Sequence, residues 1–241
     1  MSAETDRNLN WCSRLQAIAQ NGLTFAQDPF DVRRYQEIRQ IAAEMLALET
    51  GADVSSVRAY FEKDTGYTTP KLDMRGVVFR DGKILLVREK SDGKWSLPGG
   101  WADPGESPAE NVVREIFEET GFQTRALRLL AVFDRSKHPH EPAFPFHVYK
   151  FFIQCEIIGG AASRSSETDE IAFFGQTEIP ELSVTRVTAW QIHRMFEHAR
   201  DPNLPTDFDA DVPLDAMRDD PGTSSSSSER IKDVGSIYKS S

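Results

Sequence analysis

The sequence has few cysteines and no long apolar run, and both shortages limit what kind of protein it can be. Only two cysteines occur among 241 residues, Cys12 and Cys155, which lie far apart and in no metal-binding spacing. A disulfide framework is therefore excluded, and a reduced, cytoplasmic protein is expected. No stretch of about 18 apolar residues is present, and the polar start MSAETDRNLN has no apolar signal core. We therefore expect no membrane span.

Basic residues are outnumbered by acidic ones, which bears on the partners that the chain can attract. Lys and Arg total 28 against 38 Asp and Glu, which gives a formal net charge of −10. This balance disfavours nucleic-acid binding through bulk electrostatics, although a local basic groove stays compatible with it. The apolar content of 39% is enough for one well-formed core and an accessory domain.

Residues 100–122 combine a helix signal with a high density of carboxylates. The segment reads GWADPGESPAENVVREIFEETGF. Ser107 opens a capping box, and Pro108 suits the first position of a helix. Gly121 can end the helix in a left-handed conformation. The pattern predicts a helix over residues 108–120.

This predicted helix has one acidic face and one apolar face. At about 100° per residue, Glu115, Glu118 and Glu119 fall within about 140° of Arg114, and the apolar side chains fill the other side. Like charges three or four residues apart repel, so three glutamates on one stripe require a counter-ion. Mg²⁺, or Mn²⁺ in its place, binds carboxylate oxygens and phosphates and would supply it. The alternative is a solvated acidic face without function.

The same segment matches, at every defined position, the signature G-x5-E-x7-R-E-U-x-E-E-x-G-U of the Nudix hydrolases, where U is aliphatic or aromatic. The resemblance implies a metal-dependent pyrophosphohydrolase of the α/β class, an α/β/α sandwich around a mixed sheet. It also implies metal ligands in Glu115 and Glu119, with the carbonyl of Gly99. Glu118 would bind a second metal ion or a bridging water.

The resemblance also implies roles in catalysis. Arg114 would orient the carboxylates through a bidentate contact rather than touch the substrate, and Glu106 would hold the loop against the helix. Some members of the family take the general base from inside the motif and others from a later loop. Glu170 lies where such later glutamates are found, and we expect it to be the base. A solvated loop carboxylate is the alternative.

Four further side chains are predicted to contact the substrate. Arg75 and Arg88 lie on a predicted strand hairpin and would contact phosphate. His138 and His140 lie in the loop after the motif and would contact phosphate or base. Packing or surface roles are the alternative for both histidines.

The chain divides into three predicted regions. Residues 1–66 contain an N-terminal helical hairpin, whose helices are expected to end at Gly22 and Gly51. Two such helices can hardly bury their own apolar stripes, so we expect packing on the catalytic domain or, in preference, a homodimer. Residues 67–205 form the catalytic domain. Residues 206–241, with their serine run, are expected to be disordered.

Within the catalytic domain, the sequence predicts strands interleaved with helices. KLDMRGVVFRDGKILLVREK reads as a strand hairpin with its turn at Asp81-Gly82. Further strands follow the catalytic helix, and a last helix is predicted from Val184 onward. This order predicts a mixed sheet between helices.

Beyond the motif, residues from about 8 to 200 resemble Nudix enzymes with an N-terminal helical extension that hydrolyse nucleoside diphosphates linked to another group. The resemblance is carried by WCSRLQAIAQNGLTFAQDPFDVRRYQEIRQIAAEML, LPGGWADPGESPAENVVREIFEETG and DRSKHPH with FHVYKFF. It implies CDP-choline or ADP-ribose as substrate, and is closer to the CDP-choline enzymes. ADP-ribose enzymes often carry a proline beyond the motif, where this chain has Lys137 and His138. An RNA 5′-end pyrophosphohydrolase, an RNA exonuclease and a non-catalytic nucleotide-sugar-binding module remain alternatives.

Overall fold

The computed structural model describes residues 3–141 (with side chains from residue 7), 144, 146–163 and 168–210. It forms two compact units, one built mainly of residues 3–70 and the other mainly of residues 71–210. No helix among the described residues is long and apolar enough to cross a membrane. The helices and strands, in chain order, are α1 (Ala3–Phe25), α2 (Pro29–Thr50), α3 (Val54–Phe61), β1 (Lys71–Arg80), β2 (Lys83–Glu89), β3 (Trp95–Ser96), α4 (Pro108–Thr120), β4 (Phe122–Asp134), β5 (Val148–Gly160), β6 (Thr168–Phe174) and α5 (Ala189–Arg200).

The first unit contains three helices, one more than the predicted hairpin. Asp28 caps α2 by accepting the N–H of Phe30 at 2.7 Å, and Gly51 ends α2 with φ of 71°, as predicted. The third helix, α3, supplies Val57 and Phe61 to the small core of this unit. The other buried members come from α1 and α2 and are Leu9, Cys12, Ala42, Ala43, Leu46 and Ala47.

The prediction that α1 ends at Gly22 is wrong. The helix continues to Phe25, and the Ala26 N–H still donates to the Gly22 carbonyl at 2.8 Å. A Cβ at Gly22 would lie 2.3 Å from the ring of Tyr35. Glycine is therefore present at this position because α1 and α2 approach each other closely, and not because a helix ends there.

The second unit is built on a six-stranded mixed sheet. Its strand order is β3-β2-β1-β5-β4, with β6 paired to β2, and β1 and β5 are parallel while the other pairs are antiparallel. The predicted hairpin of β1 and β2 is confirmed. Asp81 and Gly82 both have positive φ, 52° and 74°, as a two-residue hairpin turn of type I′ requires.

Helices α4 and α5 cover opposite faces of this sheet. In β2, Ile84 packs in the apolar cluster that contains Ile192 of α5, while its neighbour Leu85 packs in the cluster that contains Ile116 of α4. Successive side chains of a strand point to opposite faces, so the two helices lie on the two sides of the sheet. The expected α/β/α sandwich with a mixed sheet is confirmed.

The closing helix α5 begins at Ala189. The apolar periodicity predicted a start at Val184, and this prediction is wrong. The side chain of Thr188 accepts the N–H of Gln191, and the side chain of Gln191 accepts the N–H of Thr188. This capping box fixes the start of the helix. The residues just before it form a hydrogen-bonded turn.

The last described residues extend the edge of the sheet. The Asp207 N–H donates to the Leu130 carbonyl at 3.0 Å, and the Asp207 carbonyl accepts from the Val132 N–H at 2.8 Å. Residues 206–210 are therefore joined to β4, although the tail predicted to be disordered begins at residue 206. The rest of that tail, residues 211–241, lies outside the described residues.

Candidate active site

The helix predicted to carry the chemistry, α4, has the predicted bounds and caps. The Ser107 side chain accepts the N–H of Glu110 while the Glu110 carboxylate accepts the N–H of Ser107, and Gly121 ends the helix with φ of 74°. Val112 and Ile116 are fully buried on its apolar side. The glutamates are thereby held on the opposite side of a helix whose ends are both fixed.

The loop before α4 lies along β1 through backbone hydrogen bonds. The Gly76 N–H donates to the Pro98 carbonyl, and the Met74 N–H donates to the Gly100 carbonyl, both at 2.8 Å. Gly99 has φ of 136°, and a Cβ there would lie 2.0 Å from the Met74 carbonyl oxygen. Only glycine fits at position 99, and the loop is thus pressed directly against the strand.

Two of the motif glutamates pack against this glycine pair. The Gly99 N–H donates to Glu119 Oε2 at 2.9 Å. A Cβ at Gly100 would lie 3.2 Å from the Glu115 carboxylate. Glu119 is 6% exposed. The structure therefore brings Gly99, Glu115 and Glu119 together, as the sequence predicted for metal ligands.

The surroundings of these two carboxyl groups disfavour their charged forms. Burial, with the negative charge of Glu89, raises the pKa of Glu119 well above its ordinary value, although Arg75 and the Gly99 N–H oppose the shift. Burial also raises the pKa of Glu115, against the opposing effect of Arg114. Burial therefore outweighs the neighbouring groups that favour the ionised forms of these two glutamates.

Arg114 lies at the centre of the acidic face. Its guanidinium contacts Glu106 and Glu115 at 3.0 Å, and Asp103 and Glu118 at 2.9 Å. Through these contacts Arg114 joins the loop before α4 to the helix. Of the motif glutamates, Glu118 is the most exposed, with 55% of its side chain accessible.

The donor chemistry of this cluster fits a hard divalent cation. Its members are carboxylates and one backbone carbonyl, which are oxygen ligands of the kind that Mg²⁺ and Mn²⁺ bind. In the described part of the chain, no three acidic, histidine or cysteine side chains are already arranged to hold a metal ion. Arg114 at present occupies oxygens of Glu115 and Glu118. The approach of Glu115 and Glu119 to Gly99 and Gly100 is the observation that favours a cation here.

Arg88 and Glu170, which are predicted to act on phosphate and as the base, contact each other. They are cross-strand partners of β2 and β6, and Arg88 Nη1 lies 2.9 Å from Glu170 Oε1. Both side chains are exposed. The described contacts do not connect Glu170 with Glu115, Glu118 or Glu119. The structure therefore places this pair at the surface of the sheet, and the role of Glu170 as a base stays a prediction.

The two histidines predicted to contact substrate are buried. His138 Nε2 lies 2.9 Å from Asp209 Oδ1, and its side chain is completely covered. His140 Nδ1 lies 2.8 Å from the Val184 carbonyl oxygen. Burial, with the positive charge of Lys150, lowers the pKa of His140 well below its ordinary value. Both rings are part of the packed interior, and their contact with substrate stays a prediction.

In the second unit, the sequence analysis singled out Arg75 but missed several other buried charged residues. Asp73, Glu89 and Lys150 are each at most 5% exposed, and Glu89 lies 3.1 Å from Arg186. The available signal was the presence of charged residues inside strands that otherwise read as buried, such as KLDMRGVVF. Their neighbours across the sheet could not be known from that signal.

Two family models match the chain. A NUDIX domain matches residues 70–196, and a UDP-X-like, N-terminal oligomerisation domain matches residues 6–61. YjhB of Bacillus subtilis (strain 168), named as a candidate ADP-ribose pyrophosphatase, is 46% identical over 201 residues, which cover 83% of this chain and 96% of that protein.

Solved structures resemble both the catalytic unit and the longer chain. A UDP-X diphosphatase is 34% identical with a TM-score of 0.55, covering 85% of this chain and 99% of that one. An ADP-ribose pyrophosphatase from Streptococcus suis 89-1591 is 41% identical with a TM-score of 0.54, covering 58% of this chain and 100% of that one.

Proposed function

This chain belongs to the Nudix hydrolase family, and on that premise we propose that it hydrolyses the diphosphate bond of a nucleoside diphosphate linked to another group, giving two monophosphates. ADP-ribose is the first substrate we propose, because the Streptococcus suis protein is named an ADP-ribose pyrophosphatase and YjhB a candidate one. CDP-choline, which the resemblance of the sequence implies, is the second. The observation that supports hydrolysis most is the pair of carboxylates, the buried Glu119 and the partly buried Glu115, against Gly99 and Gly100.

The proposed site would hold Mg²⁺, with Mn²⁺ as the alternative, on the Gly99 carbonyl and on Glu115, Glu118 and Glu119. When bound, such an ion neutralises phosphate oxygens and lowers the pKa of the water that attacks phosphorus. The raised pKa values of Glu115 and Glu119 are consistent with this assignment, because a bound cation would favour the ionised carboxylates that burial disfavours.

The remaining roles belong to side chains of the chain itself. Arg114 orients Glu115 and Glu118 through charge-assisted hydrogen bonds and does not touch the substrate. Arg75 donates a hydrogen bond to a phosphate oxygen and so helps to orient the diphosphate. Glu118 and Glu170 are the two candidates for the base that takes the proton of the attacking water.

The substrate assignment is tested with the purified protein, Mg²⁺, and equal concentrations of ADP-ribose, CDP-choline, a diadenosine polyphosphate and 5′-triphosphorylated RNA. We expect the highest kcat/KM with ADP-ribose and the loss of turnover in Glu119→Gln. Glu156→Gln is the matched control, because it makes the same substitution on β5 of the same unit, where Glu156 pairs with Arg125 at the surface. Preference for RNA would move the function to RNA ends. Nucleotide binding without turnover of any substrate would support a non-catalytic module.

We also propose that the helices of the first unit join two copies of the chain in a homodimer. Large apolar side chains are exposed on this unit; Ile18 is 53% and Leu48 is 84% accessible. The match of residues 6–61 to an oligomerisation domain supports the same role. Sedimentation of Ile18→Glu should give a monomer. Gln36→Glu, which adds the same charge at an exposed polar position of α2, should remain a dimer.

A further inference from the structure

β1 carries two charged side chains that the fold buries, Asp73 and Arg75, each 5% exposed. Arg75 Nε donates to Asp73 Oδ1 at 2.8 Å, and Arg75 Nη1 donates to the Leu97 carbonyl at 3.1 Å. Within the described residues, no hydrogen bond engages Nη2 of Arg75. The guanidinium is therefore fixed at two of its three nitrogens, and Nη2 keeps its capacity to donate a hydrogen bond.

Asp73 is itself held by a buried lysine on the neighbouring strand. Lys150 of β5 is the partner of Asp73 in the parallel register of β1 and β5, and its ammonium donates to Asp73 Oδ2. One oxygen of Asp73 thus binds Arg75 and the other binds Lys150. Removal of one member of such a buried set leaves an unpaired charge, so the three groups depend on one another.

With Lys150 protonated, the three groups carry two positive charges and one negative charge. Burial, with the positive charges of Arg75 and Arg135, lowers the pKa of Lys150 to about 7, although Asp73 opposes the shift. Burial alone would lower the pKa of Arg75, but the negative charges of Asp73, Glu89 and Glu119 hold it above the ordinary value. Arg75 therefore pairs with Asp73 and is also influenced by the negative charges of Glu89 and Glu119.

Backbone contacts place Arg75 under the motif loop. The residues on either side of it in β1, Met74 and Gly76, donate to the carbonyls of Gly100 and Pro98. A Cβ at Gly99 would lie 3.1 Å from the Cα of Arg75. Arg75 thus lies directly beside Gly99, whose carbonyl is the predicted metal ligand on the loop.

We propose that Asp73 and Lys150 are positioning residues for the reaction assigned above, with Lys150 holding Asp73 and Asp73 holding the Arg75 guanidinium toward the diphosphate of the substrate. The inference rests on the proposed function, because the ligand of Arg75 is the substrate of that reaction. Neither Asp73 nor Lys150 touches the reacting atoms. A guanidinium held at two nitrogens keeps its donor direction, whereas a free one would adopt many rotamers.

The test is a double-mutant cycle on kcat/KM for ADP-ribose. Asp73→Asn and Arg75→Gln should each lower kcat/KM by about 100-fold, the usual cost of misplacing a substrate-orienting group. Asp73→Asn added to Arg75→Gln should cost less than about twofold more, because Asp73 acts through Arg75. Lys150→Met leaves the Asp73–Arg75 pair intact, so it serves where Asp73→Asn fails to fold. It should show the same dependence on Arg75.

A second readout does not depend on turnover. Calorimetric titration with AMP should show weaker binding in Asp73→Asn and Lys150→Met, with no further weakening when either is combined with Arg75→Gln. Glu156→Gln should bind AMP like the unmodified protein. If the loss of kcat/KM and of AMP affinity in each double variant equals the product of the losses in the two single variants, Asp73 and Lys150 only stabilise the fold.

The outcomes also separate this inference from the proposed function. If the unmodified protein hydrolyses no offered substrate, the proposed function fails, while the AMP cycle still decides whether Asp73 acts through Arg75. If the unmodified protein is active but the losses multiply, only the positioning role fails. AMP affinity and kcat/KM that are both unchanged in Arg75→Gln would overturn the inference outright.

Discussion

Two arginines organise the charges of the catalytic unit in opposite ways. Arg114 is half-buried and contacts four carboxylates, so its cluster has an excess of negative charge. Arg75 is buried and shares Asp73 with Lys150, so its cluster has an excess of positive charge when Lys150 is protonated. The first cluster suits a cation and the second suits a phosphate. A site that binds a metal ion and a diphosphate together needs both.

The two clusters also differ in what their loss should cost. The contacts of Arg114 are partly solvated, and ion pairs of this kind contribute little to stability. The contacts of Asp73 are buried, where an unpaired charge is strongly destabilising. Changes in the first cluster should therefore affect activity more than stability, and changes in the second should affect both.

The largest expected effect is that of Glu119→Gln, which changes the buried glutamate beside the cluster around Arg114. We expect a loss of kcat/KM of about 1,000-fold, because a charged group of the metal site is removed. Metal-free stability at pH 8 should increase. Because the pKa of Glu119 is raised in the fold, its ionisation lowers the free energy of unfolding as pH rises above 4.5, and glutamine removes that penalty. Assays with Mg²⁺ and thermal unfolding in EDTA check both parts. A variant that is active, or that unfolds at lower temperature, would contradict them.

Arg114→Lys should have a smaller effect than Glu119→Gln. Lysine keeps the charge but loses the planar fork that reaches four carboxylates at once. We expect kcat to fall by about 10- to 100-fold, as for residues that orient metal ligands. The free energy of unfolding in urea should change by less than about 1 kcal/mol, because these pairs are partly exposed. Unchanged kcat would show that Arg114 does not orient the glutamates.

The two candidate bases should differ in how much their substitution lowers kcat. Glu118 contacts Arg114 within the acidic cluster, whereas Glu170 contacts Arg88 at the exposed surface. We therefore expect kcat to fall by about 100-fold or more in Glu118→Gln, and by less than about tenfold in Glu170→Gln. Single-turnover rates measured at saturating Mg²⁺ make the comparison. The reverse order would assign the base to Glu170.

The smallest expected effect concerns the pH dependence of stability in the positive cluster. The pKa of Lys150 is about 7 in the fold and 10.5 ordinarily, so the unfolded chain binds more protons between these values. The free energy of unfolding should therefore rise with pH in this window relative to Lys150→Met, by at most about 1.4 kcal/mol per pH unit. Urea denaturation at pH 7 and pH 9 measures the difference. The same pH dependence in the unmodified protein and in Lys150→Met would mean that burial does not lower the pKa of Lys150.

The sequence predicted the acidic cluster but not the positive one, and the reason is distance along the chain. Arg114, Glu115 and Glu118 lie within one turn and a half of a helix whose caps are readable from Ser107 and Gly121. Asp73 and Lys150 are partners only because β1 and β5 pair in parallel. Strand order and register depend on contacts between distant segments, which no local pattern contains.

The same distinction explains the other differences between prediction and structure. Glycine often ends a helix, which is why the sequence predicted a stop at Gly22, but the approach of Tyr35 from α2 explains why glycine is present there. His138 and His140 follow the motif closely in sequence, but Asp209 and Val184 from later segments enclose them. Where a residue's neighbours come from another element, its type alone did not show its surroundings.

The most direct test of the account is calorimetric titration of Mg²⁺, and separately Mn²⁺, into the protein without substrate. We predict binding to the unmodified protein and to Glu156→Gln, which removes a carboxylate at the surface of β5. We predict its loss in Glu119→Gln, because the carboxylate nearest Gly99 is then missing. Equal binding by all three proteins would contradict the claim that the acidic face of α4 holds the metal ion.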